Sequence, residues 1–153
     1  MAWLTTGALW LHVAGGAWWV LTCVTMALAG AVVNPDSAEG RAFMSRVVPG
    51  LNRANAVAAA LLLATGIINI SAAGARRHFN FPPAFTRVLA VKLGLYALMA
   101  AALIASFGIE RSLRGENAGA PLRAGAGRLV ALCAVTAMAG AAAMMLGVWL
   151  AGE

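Results

Sequence analysis

The sequence predicts an all-α, polytopic bundle of four membrane-crossing helices. Three observations carry this: four long apolar runs, few charges, and basic residues gathered between the runs. Of 153 residues, 62% are apolar and 10% charged, whereas an ordinary soluble domain carries roughly 25% charged residues. The runs at residues 3–33, 54–75, 88–109 and 129–151 each reach the ~20 residues that a helix needs to span hydrocarbon. Lys92 is the one charge inside them. Runs this long and rich in Ala and Leu exclude membrane strands, which alternate over ~10 residues. One compact bundle uses residues 1–153 as a single domain, so any chemistry lies between the helices or at their ends.

Each element follows from its own punctuation. The helices are expected at about residues 5–33, 54–75, 86–109 and 129–151. The first opens near Thr5 or Thr6 and is read as retained, because no basic segment precedes it as in a signal peptide. Asn34-Pro35-Asp36 ends it, since Pro after Asn favours a turn and the carboxylates of Asp36 and Glu39 do not enter lipid. A short amphipathic piece at the cytoplasmic interface is expected through Pro49-Gly50. The second helix opens between Asn52 and Asn55 and ends near Gly74. Arg76, Arg77, His78, Phe79, Asn80, Phe81, Pro82 and Pro83 then form an aromatic, proline-containing loop suited to lipid headgroups. The third helix runs from about Phe85 to Glu110-Arg111. A Gly- and Ala-rich loop with Pro121, expected to be the most mobile stretch, leads to Arg128 at the start of the fourth.

The formal charge of +6 comes from arginines flanking the runs, not from a basic stripe interleaved with aromatics, which argues against a nucleic-acid partner. Arg41, Arg46, Arg53, Arg111, Arg114, Arg123 and Arg128 fall in the first and third connections, against Arg76, Arg77 and Arg87 on the other side. Positive residues stay cytoplasmic, which orients the chain N-out and C-out. Cys23 and Cys133 lie inside helices on the cytoplasmic half, where free, buried thiols are expected rather than a disulfide. Trp3, Trp10 and Trp149 read as anchors at the outer interface. Gly15, Gly16, Gly140 and Gly147 read as small surfaces for close helix approach.

An ionisable group inside a membrane helix costs at least ~2.5 kcal/mol on insertion scales, so something must offset it. His12 and Lys92 are the candidates, each about seven residues inside the outward end of its helix and hence at roughly equal depth, ~8–12 Å. The stripe of His12 continues through Gly15, Gly16, Trp19, Cys23 and Met26. Lys92 shares its face with Leu89, Tyr96 and Met99. Asn69 on the second helix and Met144 and Met145 on the fourth lie at a similar level. Structural alternatives stand beside this: Lys92 can snorkel to the headgroups, His12 can bond a neighbouring helix, and Asn69, Met144 and Met145 can simply pack. The chain uses Arg ten times and Lys once, and only the Lys can surrender its proton when desolvated. There is no phosphate-binding Gly-rich loop, no paired-His or Cys-x-x-Cys metal spacing and no hydrolase triad within the membrane. Neutral imidazole remains a good ligand for haem iron or copper.

Leu11-His12 followed by Trp18-Trp19, Thr65-Gly66, and Val91-Lys92-Leu93 with its apolar continuation resemble the CopD/HemJ-like group of bacterial four-helix membrane proteins. The likeness runs through nearly the whole chain in helix order, on short motifs. After Trp19, the run Val20 to Met26 departs from the group's pattern. The resemblance implies a multi-pass protein of the bacterial inner membrane that binds haem b, with His12 as the axial ligand and Lys92 as the partner of a propionate or the proton-handling group. Trp19, Asn69 and Arg87 are the other expected contacts to the cofactor. For HemJ-like members the implied reaction is protoporphyrinogen oxidase chemistry, from protoporphyrinogen IX to protoporphyrin IX. CopD-like members are assigned to copper uptake or resistance.

Three functions follow as expectations. The first is a haem-binding redox protein, an enzyme or an electron carrier, meeting a porphyrin or an electron-transfer partner, with Met144 as one possible ligand opposite His12. The second is copper handling through His12 with Met26, Met99, Met144 and Met145, since thioethers suit Cu(I). The third is a non-catalytic accessory subunit that packs its Gly and Ala faces in a homo-oligomer or a larger membrane complex.

Overall fold

In the computed structural model, which describes residues 2–113 and 121–152, four long helices carry the chain back and forth. They are α1 (Ala2–Val32), α3 (Val48–Arg76), α4 (Pro83–Leu113) and α5 (Pro121–Gly152), with a short α2 (Ala38–Ala42) and a π-helical turn (Phe43–Val47) before α3. No strand occurs among the described residues, and four helical segments are long and apolar enough to cross a membrane. The chain is therefore an all-α, four-helix, multi-pass membrane protein. Its outer surface agrees: Trp3 is 74% and Val32 86% exposed, with Leu, Ile and Val side chains exposed along all four helices. Such a surface is an aggregation hazard in water and an ordinary one against lipid tails.

Each long helix has 29–32 residues, about 45 Å at 1.5 Å per residue, and so overshoots a ~30 Å hydrocarbon core. The apolar runs mark the hydrocarbon depth, whereas the helices continue through the headgroups. This corrects two expected boundaries. The second long helix opens at Val48, upstream of Asn52, and the fourth opens at Pro121, so that Arg128 lies in its second turn. Residues 114–120 of the loop expected to be most mobile lie outside the described residues.

The amphipathic piece expected before Pro49 is α2, capped by Ser37, whose hydroxyl accepts from Gly40 N–H at 3.0 Å and donates to Asn34 O at 2.8 Å. A side chain at Gly40 would run into the Asn34 carbonyl. Pro49 sits in the first turn of α3, where it has no N–H to give to Ser45, and the π-helical turn just before it absorbs the misfit. At the other end of α3, Arg77 and Phe79 N–H both bond Gly74 O, at 3.0 and 2.8 Å. His78 and Phe79 adopt left-handed φ values of 49° and 57°. This tight reversal folds the Phe79 ring onto Gly74, where a Cβ would lie 2.6 Å from it. Phe81 stacks on Phe85 at 4.8 Å, and the Arg77 guanidinium lies 5.3 Å from the Phe85 ring centre.

In packing order the helices run α3, α1, α5, α4, with sparser contact between α4 and α3. Buried positions recur at spacings of three and four: Trp19, Cys23 and Met26 on α1, Asn52, Asn55, Ala58, Leu62 and Thr65 on α3, and Leu129, Cys133, Thr136 and Ala139 on α5. Steps of three and four, averaging less than the 3.6 residues of a helical turn, keep one seam inward along a helix, the pattern of a left-handed bundle. Gly140 is where α1, α4 and α5 meet, since a Cβ there would collide with Val20 and lie 3.2 Å from Met99 Cε. At the far end, Asp36 and Arg123 pair at 2.5 Å, tying the α1–α3 connection to the start of α5.

Candidate functional site

His12 projects from α1 toward α3, where its Nδ1 lies 2.9 Å from Thr65 Oγ1. The Thr65 hydroxyl hydrogen is already committed, donated to Leu61 O at 2.6 Å, as Thr commonly does inside helices. The hydroxyl therefore accepts from His12, which places the imidazole proton on Nδ1 and leaves the Nε2 lone pair unused by that bond. Gly66 completes the seat, because a Cβ at this position would sit 3.4 Å from His12 Cε1. Thr65 and Gly66 thus fix the imidazole from α3, Thr65 by the bond and Gly66 by having no side chain.

Lys92 rises from α4 against α5, where a Cβ on Gly147 would lie 2.9 Å from Nζ. The ammonium occupies the room that this glycine leaves. It is partly buried and within electrostatic reach of His12, so the two ionisable groups share one half of the bundle. One level deeper, Trp19 is buried and meets Tyr96 edge-on at 6.2 Å. The Tyr96 hydroxyl donates to Ala59 O at 2.9 Å, bridging α4 to α3 across their sparse contact. Trp19 and Tyr96 make a floor about 10 Å below His12, two helical turns along α1.

The remaining candidates are spread around this pair. Asn69 is partly buried one turn beyond Thr65 on the same face of α3, and Arg87 is exposed near the start of α4. Met144 is 39% and Met145 74% exposed, and on α5 it is Gly147 that lies against the Lys92 ammonium. Met26 and Met99 lie in the core, below the floor.

Sequence reasoning missed a second polar group in the opposite half. Asn52 is fully buried, donates to Glu110 Oε2 at 3.1 Å and accepts from Ser106 Oγ at 3.1 Å. Asn55, one turn on, donates to Cys23 Sγ at 3.9 Å. The two cysteines are free and buried, as expected for packed thiols, and they line one small cavity between α1 and α5. The signal was present in the spacing: Asn52 and Asn55 sit three apart on the stripe that leads to Leu62 and Thr65, and Ser106 and Glu110 sit four apart on α4. Reading Asn52 and Asn55 as a helix start hid it.

The chain matches no family model, no curated protein and no solved structure.

Proposed function

We propose that the chain is a haem b-binding redox protein of a bacterial inner membrane, akin to the CopD/HemJ-like group, with His12 as the iron ligand. The observation that carries this reading is the hydrogen bond between His12 and Thr65. A ligating histidine needs its second ring nitrogen held by an acceptor, which fixes tautomer and orientation and raises basicity. Thr65 is such an acceptor, and the nitrogen left over is the one a metal would take.

The donor set fits the group in three respects. Neutral imidazole is a common haem ligand. Lys92, alone among the charged residues in its apolar run, offers an ammonium to a propionate carboxylate on the same half of the molecule. Trp19 and Tyr96, packed edge to face one level deeper, would bound the group on its inner side. When bound, haem supplies one-electron chemistry at iron, while His12 Nδ1–H holds the ring in place through Thr65 and Lys92 carries the proton or the charge that a carboxylate meets. Such an arrangement would serve either porphyrinogen oxidation or electron transfer.

The test is the visible spectrum of the protein purified in mild detergent. The expected result is a Soret band that is lost in His12→Ala and kept in His78→Asn, which changes the loop histidine to a residue that tolerates left-handed φ. A colourless protein that gives no Soret shift with added haemin, or a band indifferent to His12→Ala, overturns the reading.

A further inference from the structure

We propose that the middle of the bundle is a binding site for one water molecule, which donates to Asn55 Oδ1 and Ser106 Oγ, meets the Thr136 hydroxyl, and so joins α3 and α4 to α5. Asn55 on α3 is 1% exposed. Its amide N–H reaches only Cys23 Sγ, at a long 3.9 Å, and its Oδ1 has no hydrogen-bond partner. Cores leave few buried polar groups in this condition, because such a group forfeits the water it had in the unfolded chain and gains nothing in return. The oxygen calls for a hydrogen-bond donor. Turning the carboxamide over would exchange the orphaned acceptor for an orphaned donor at the same place, and water serves either.

The surroundings supply the remaining partners. Asn55, Ser106 and Thr136 are all buried and line one cavity, with about 10 Å³ of room for a water-sized sphere, close to what a single water needs. The one hydroxyl hydrogen of Ser106 is shared between Leu103 O at 2.7 Å and Asn52 Oδ1 at 3.1 Å, so any further partner must donate to it. Two acceptors and one hydroxyl match a molecule with two hydrogens and two lone pairs, and buried waters typically make about three such bonds. A hard cation would gather about six oxygens, whereas no carboxylate lines this cavity among the described residues. The packing order sets α3 and α5 diagonally opposite one another, so the water is a polar link between helices that do not pack side by side. It also extends the series from Glu110 through Asn52 to Ser106. Because the Asn52 carboxamide neither gains nor loses a proton, that series is a strut and not a proton path.

Two measurements on the full-length protein test this. In an experimental density map that resolves ordered water, a peak is expected within hydrogen-bond distance of Asn55 Oδ1, Ser106 Oγ and Thr136 Oγ1. In detergent micelles, the Ala102 methyl, buried on the same cavity wall, is expected to give a nuclear Overhauser cross-peak to water. That cross-peak is expected to persist in His12→Ala and to vanish in Asn55→Leu, which keeps the branched shape and removes the polar atoms. The map of the unmutated protein keeps the test independent of whether the variants fold. No peak at this place, Asn55 Oδ1 bonded instead to a protein donor, a peak ringed by the additional oxygens of a bound cation, or a cross-peak indifferent to Asn55→Leu overturns the proposal.

Discussion

At the scale of single residues, the informative contacts are those in which one side chain fixes the state of another. Thr65 lets His12 present one defined nitrogen. Thr65→Val keeps the shape and removes the acceptor, so haem affinity is expected to fall about 10–100-fold, with Thr65→Ser restoring it; titration of the detergent-solubilised protein with haemin, read at the Soret band, measures this. Gly140 acts by steric room alone. Because a Cβ there collides with the branched Val20 side chain, Gly140→Ala is expected to destabilise the bundle by about 1–3 kcal/mol, read as a lowered midpoint of unfolding in a mixed-detergent titration. The glycine was legible in the sequence as a close-approach residue, and so were His12 and Lys92 as ionisable groups in apolar runs. The role of Thr65 was not, because a Thr in a membrane helix ordinarily bonds its own backbone, and only the placement of α3 beside α1 puts His12 against it.

At the scale of elements, the bundle is held at its connection-bearing end by two polar contacts of different worth. Asn52 is buried and satisfied on both sides, by Glu110 and Ser106 of α4. Asn52→Ala removes both bonds and opens space between α3 and α4, and is expected to cost about 1–3 kcal/mol in the same unfolding titration, with Ser106→Ala costing less. Asp36 and Arg123 form an exposed pair, and exposed pairs contribute about 0–1 kcal/mol. Asp36→Asn is therefore expected to leave the midpoint within about 1 kcal/mol of its original value, and added salt to erase what difference remains. The π-helical turn ahead of Pro49 shows why the start of α3 was misjudged from sequence. Proline signals a stop when the backbone must stay strictly α-helical, whereas one wider turn lets the helix run past it.

At the scale of the whole molecule, the Asp36–Arg123 contact places the first and third connections at one end, the end that gathers seven of the ten arginines. By the positive-inside rule that end is expected to face the cytoplasm. A membrane-impermeant maleimide added to intact cells is expected to label Asn80→Cys, in the short reversal between α3 and α4, and to spare Ser112→Cys; the opposite pattern inverts the orientation. In that orientation the imidazole and ammonium would lie in the outer half and the two buried thiols in the inner half, with the Trp19 and Tyr96 layer between. The bundle thus holds two chemically distinct polar regions, each set among apolar helix faces.

The sequence by itself determined that the chain is helical, that it crosses the membrane four times and which residues are costly to bury, because apolar length and charge are sums over a segment and need no neighbours. Tertiary structure alone decided which of those costs are met and by what: Thr65 for His12, Gly147 for Lys92, and Ser106 and Glu110 for Asn52. Helices that are apolar on every side carry little sequence signal for which face turns inward. Rotation about each helix axis is settled by packing, and packing decides which side chains meet.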